Sequence, residues 1–196
     1  MTVVENRERR DLLRDTAIGV LAREGAHRLT HRRVDQEAGL PTGTTKNYFP
    51  TRDALLRAAA ERCYQRYLAD LGRLDTVTLP AGREDLTGML AELIRRGTGP
   101  DRVRLLATLE LHAEATRNTA LRSILAELTR TDFEVYDRLQ RAAGLPVTPA
   151  RSRVFARCVH AALLSLLTHP PEALRSEGLA DLEGFVAEVV DTVYPR

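Results

Sequence analysis

The chain has 196 residues, a net charge of +2, 43% hydrophobic and 29% charged side chains, which are the values of an ordinary globular protein of one large or two small domains. No apolar run approaches the ~20 residues that a membrane-spanning helix needs, and the charged start MTVVENRERRDLL lacks an apolar signal core, so a cytoplasmic protein without membrane contact is expected. Cys63 and Cys158 lie far apart, belong to no CxxC or Cys/His ligand spacing, and read as reduced thiols in or near a core.

Nearly every segment has helical periodicity and none alternates as a half-buried strand does. An all-α chain of about nine helices is therefore expected. The first spans about 7–24, with Leu13, Ala17, Val20 and Leu21 on its apolar stripe and Gly25 as its stop. A short helix at about 31–38 has Thr30 as N-cap and Gly39 as terminator. Pro41 keeps Leu40 out of helix, and another short helix fits 42–48. Thr51 caps a longer helix at about 51–73, with Asp53 well placed in its first turn. Asp75–Gly82 reads as a loop. Helices follow at about 83–96, 101–116 and 118–143. Thr148-Pro149 opens the most apolar helix, which His169-Pro170-Pro171 stops, and the last helix covers about 179–193.

The charge is unevenly placed. Residues 1–57 hold eleven basic side chains against eight acidic ones, and the remainder is slightly acidic. A polyanion-binding surface therefore belongs in the first quarter. Within it, residues 30–49 form two short capped helices joined by a tight glycine turn. Val34, Ala38, Leu40 and Phe49 can lock the two at an angle, and Ala38 is small where they must approach. The second is too short and too polar for a core: Thr42, Thr44, Thr45, Lys46 and Asn47 leave little to bury. Lys46 is also the only lysine in the chain. A polar helix on a small packed scaffold is what reading the DNA major groove requires.

Residues 8–60 resemble the TetR family of transcriptional regulators. The matching elements are Gly25, Leu29-Thr30, Val34, the Glu37-Ala38-Gly39-Leu40-Pro41 turn, Gly43-Thr44, Tyr48-Phe49 and Arg52-Asp53-Ala54-Leu55-Leu56. One departure is Lys46-Asn47, where the family often places an aromatic pair. The resemblance implies an N-terminal helix-turn-helix domain, residues 1–56, and a C-terminal helical domain, residues 57–196, for dimerisation and effector binding. It also implies a repressor released from its operator by a small molecule. Arg32 is a candidate for a guanine edge or a phosphate, and Thr42, Thr44 and Thr45 for base edges or thymine methyl groups. Lys46, with Asn47 beside it, is a candidate for a base or the backbone. Tyr48 and Arg52 are candidate phosphate anchors beside the N-terminus of the long helix; packing beneath the motif is the competing reading for Tyr48.

One short recognition helix covers only a half-site, so a homodimer is expected. The last two helices offer its surface, through Val159, Ala162, Leu163, Leu166, Leu167, Phe185 and Val189, with burial inside one subunit as the alternative. Candidate effector contacts are Tyr64, Tyr67, His112, Phe133, Tyr136, Phe155 and His160, on otherwise apolar helices. No HExxH, Walker loop, GxSxG elbow or Cys/His cluster is found, so no catalytic residue, metal or cofactor is expected. A helical module that uses the motif for protein contact is the remaining rival, and the polarity of 42–48 argues against it.

Overall fold

A computed structural model of the chain describes residues 3–74 and 79–196, and no strand occurs among them. Ten α-helices follow in order: α1 (Val3–Glu24), α2 (His31–Glu37), α3 (Thr44–Tyr48), α4 (Arg52–Leu74), α5 (Arg83–Thr98), α6 (Arg102–Ala115), α7 (Thr119–Ala142), α8 (Pro149–Thr168), α9 (Pro171–Ser176) and α10 (Leu182–Val193). A single 3₁₀ turn, Ala26–Arg28, separates α1 from α2. Two elements go beyond the expected nine helices. The 3₁₀ turn is one, and the other is α9, where Pro171 at the first helical position favours a short helix. α1 starts at Val3, before the expected residue 7, and α10 starts at Leu182 because the Asp181 carboxylate accepts from Gly184 N–H at 3.0 Å. Of the expected loop Asp75–Gly82, residues 75–78 lie outside the described residues and 79–82 are non-helical.

The caps explain the boundaries. Thr30 Oγ1 accepts from Arg33 N–H at 3.1 Å to start α2, and Thr148 Oγ1 accepts from Arg151 N–H at 3.3 Å to start α8. α2 stops at a left-handed Gly39 (φ +66°), after which Leu40 N–H returns to the Asp35 carbonyl at 2.9 Å.

The chain divides into two compact units. One comprises residues 1–76 with 103–128 and the other 77–102 with 129–196. The first packs Leu13, Ala17, Leu21, Leu29, Val34, Phe49, Leu55, Leu56, Leu111 and Leu121 into one core. On its rim, Arg62 Nε donates to Asp15 at 2.7 Å and Arg66 pairs with the same carboxylate at 2.9 Å, tying α4 to α1. The second unit packs Leu86, Leu90, Ile94, Leu139, Phe155, Val159, Val186 and Val190 together. Its core holds one buried polar pair: Tyr194 O–H donates to Gln140 Oε1 at 2.6 Å, and both side chains are fully buried. No helix is long and apolar enough to cross a membrane among the described residues.

Candidate nucleic-acid interface

The site is built on α2, the turn after it, and α3. Val34 and Phe49 are buried, with Leu40 and Ala38 packed against the same core, so the apolar set fixes the two helices together. A carboxylate outside the expected set adds direction to this packing. Asp35 is 1% exposed, and its Oδ2 accepts from Gly43 N–H at 2.7 Å. Its Oδ1 accepts from Thr45 N–H at 2.7 Å and from Thr45 Oγ1–H at 2.5 Å. The only sequence signal for it is an acidic residue beside Val34 on the buried side of a short helix. His31 closes the other end, with Nε2 2.6 Å from the Phe49 carbonyl. Arg33 forks onto Glu24 through Nε at 2.9 Å and Nη2 at 2.5 Å and also pairs with Glu37 at 3.2 Å. Hydrogen bonding to Arg33, opposed by desolvation, holds the Glu24 carboxyl below its ordinary range.

The expected reading residues separate into two groups. Arg32, Thr42, Lys46 and Asn47 are exposed, and Thr44 is half-buried with its hydroxyl donating to the Pro41 carbonyl at 2.6 Å. Thr45 is a correction: it is fully buried, its hydroxyl is held by Asp35, and it supports α3 rather than facing a base. Tyr48 packs against the core with its hydroxyl buried and without a hydrogen-bond partner among the described residues, which favours packing over the phosphate anchor. Arg52 is held inside the unit. Its Nη2 donates to the Ala26 carbonyl at 2.6 Å and its Nη1 to Glu114 Oε2 at 3.3 Å, while Ala26 N–H donates to Glu110 Oε2 at 2.9 Å.

The expected effector residues fall in both units and are gathered into a cluster only in the second. In the first unit, Tyr64 is half-buried, Tyr67 lies under Arg104 (5.5 Å to the ring centre) and His112 is exposed, which makes His112 a surface residue. In the second, Phe133, Tyr136 and His160 cluster edge to face. The ring centres are 5.9 Å apart for Phe133 and His160, and 5.8 Å for Tyr136 and His160. His160 Nε2 is 3.3 Å from Asp132 Oδ2. Burial and then the Asp132 charge push the Tyr136 phenol up from its ordinary value. Phe155 touches Tyr136 but is fully buried in the core. Phe133 also lines a groove of about 600 Å³ with Arg138, Arg141 and Arg153.

The expected dimer residues need a similar correction. Val159, Ala162 and Val189 are buried within the single chain, Val159 and Val189 in the second core. Leu163, Leu166, Leu167 and Phe185 are half-buried. The outward row of α8 is Val154, Arg157, Ala161, Leu164 and Thr168, with Val154 and Leu164 exposed by 53% and 48%.

Comparison with known proteins agrees with this architecture. Residues 81–192 match the family described as the tetracyclin repressor-like C-terminal domain. An uncharacterized HTH-type transcriptional regulator in the dhlA 5' region of Xanthobacter autotrophicus is 32% identical over 124 residues. That match covers 62% of this chain and 60% of the relative, so the chain spans about three fifths of that protein's length. The multidrug binding protein EbrR, solved with imidazole, is 29% identical, with a TM-score of 0.68 over 96% of this chain and 91% of its own. A TetR-family member from Streptomyces coelicolor A3 is 27% identical, with a TM-score of 0.69 over 96% of this chain and 99% of its own. The family match covers more than half of the residues, and with a helix-turn-helix ahead of it the chain belongs to the TetR family of transcriptional regulators.

Proposed function

We propose that the protein is a cytoplasmic, non-enzymatic repressor that binds operator DNA as a homodimer and leaves it when a small molecule binds. The observation that carries the DNA reading is the asymmetry of α3, in which Thr45 is tied inward while Lys46 and Asn47 face out and Thr44 sits at the edge. Arg32, Thr42, Thr44, Lys46 and Asn47 are the contacts, with the N-terminus of α4 beside them for phosphates. In this reading residues 1–56 form the reading head, and residues 57–196 carry dimerisation and effector binding. The outward apolar row of α8, Val154, Ala161 and Leu164, meets its symmetry mate, with the half-buried Leu167 and Phe185 as further candidates.

Fluorescence anisotropy with a palindromic duplex from the gene's own upstream region tests the reading. Tight binding that weakens steeply with salt and discriminates against scrambled sequence is expected. Weak, sequence-blind and salt-insensitive binding would overturn it. For the effector, the Phe133–Tyr136–His160 cluster with Asp132 suits an aromatic cation, by cation–π attraction and charge. The related EbrR has been solved with ethidium and with malachite green. Malachite green should therefore lower operator affinity of the wild type and less so of Asp132→Asn. Equal effects on both proteins would remove the cluster from the effector site.

A further inference from the structure

We propose that Asp35 is the positioning residue for sequence recognition: it sets the rotation of α3 about its axis and thereby selects which side chains face the bases. The proposal rests on the DNA-binding reading above, and part of its test does not need DNA.

α3 is five residues long, far below the roughly 12–15 at which an isolated helix becomes even marginal in water. Its N-cap is Gly43, left-handed at φ +94° and without a side chain to cap the first turn. The amide groups that a local cap would satisfy are instead met from α2. Asp35 accepts from the N–H of Gly43 and of Thr45, and from the Thr45 hydroxyl, at 2.5–2.7 Å. Two backbone N–H groups and the Thr45 hydroxyl donate to Asp35, so a carboxyl group, with an acceptor oxygen toward each backbone donor, suits the site. A buried polar group is unfavourable unless it is hydrogen-bonded in this way.

The apolar set around α3 cannot do the same work. Contacts of Val34, Leu40 and Phe49 bring the helices together, but apolar burial has no preferred direction. Hydrogen bonds do. With Thr45 pinned inward and about 100° of rotation per residue, Lys46 and Asn47 are fixed on the outward arc. Releasing Thr45 leaves the helix in place and its azimuth undetermined.

The test compares full-length wild type, Asp35→Asn and Thr45→Val. Asparagine keeps one acceptor oxygen and turns a donor toward one of the three donors. Valine removes only the hydroxyl and is the milder change should Asp35→Asn fail to fold. Affinity is measured for the operator and for a scrambled duplex of equal length across a salt series, and amide hydrogen exchange is followed at residues 43–46 without DNA. For Asp35→Asn the ratio of operator to scrambled affinity should fall roughly 5- to 150-fold, the range of one good base contact. Scrambled-duplex affinity and the salt slope should stay as in wild type, because the phosphate contacts are unmoved. Thr45→Val should shift the ratio in the same direction by less, and the Gly43 and Thr45 amides should exchange faster in Asp35→Asn. Equal loss on both duplexes would make Asp35 merely structural and overturn the proposal, as would unchanged discrimination in either variant. A wild type that does not discriminate at all would defeat the DNA reading. In that case unchanged exchange in Asp35→Asn would still refute the cap.

Discussion

Arg52→Ala separates an internal clamp from a DNA contact. The guanidinium donates to the Ala26 carbonyl at 2.6 Å and to Glu114 at 3.3 Å, and the two side chains are 41% and 21% exposed. A hydrogen bond from a charged donor contributes about 1.5–3 kcal/mol when shielded, and partial exposure places this one near the lower end. A solvent-facing ion pair adds at most about 1 kcal/mol. The Ala26 carbonyl also accepts from Leu29 N–H at 3.2 Å, so it is not orphaned by the substitution. The expected loss is therefore about 1–2 kcal/mol, a fall in Tm on the order of 5–10 °C for a unit of this size. Calorimetry reads the stability, and a salt titration of operator binding reads the phosphate count. The slope of log K against log salt should be unchanged, whereas loss of one phosphate contact would flatten it by about 0.9. An unaltered Tm with a flatter slope would refute the clamp.

Lys46→Ala should do the reverse, weakening operator binding while leaving the melt unchanged, because the side chain is exposed; a collapsed melt would make it structural. Tyr194→Phe leaves Gln140 Oε1 without its buried donor and should cost about 1–3 kcal/mol in urea unfolding, with no change in intrinsic DNA contacts. Burial alone would raise the Asp15 carboxyl, but hydrogen bonds and charge from Arg62 and Arg66 outweigh it and hold the group below its ordinary 3.8. The folded value is depressed, so this contribution is present above 3.8 and is lost as pH falls through the folded value. Asp15→Asn should accordingly flatten the acid limb of stability, measured as the urea midpoint from pH 6 down to pH 3, and an identical limb would remove Asp15 from the explanation.

Most of the helices were legible because apolar period, caps and glycine stops agree with one another. Thr30 and Thr148 cap as their positions suggest, and Gly39 takes the left-handed turn. What escaped was long-range polar chemistry. Asp35 carries only the weak local signal of an acid beside Val34, and its donors lie eight and ten residues on. Thr45 and Thr44 are indistinguishable by type, and only the azimuth of α3 shows that one faces in. Arg52 was legible as a cation but not as one whose acceptors, Ala26 and Glu114, come from distant segments. Along α8, the apolar arc is wide enough that sequence could not divide core from outward row. The structure gives Val159 and Ala162 to the core and Val154 and Leu164 to solvent.

Lys46 and Asn47 make no side-chain hydrogen bond or ion pair among the described residues, whereas Asp35, Thr45 and Phe49 carry the internal structure of the motif. In the proposed reading, the surface that faces DNA and the folding scaffold are thus encoded by different positions. Replacing an outward residue changes what α3 presents without a folding penalty, so operator preference can drift in single steps through folded intermediates. A regulator duplicated in a genome can diverge from its sister at two codons while every contact that shapes the motif stays as it was.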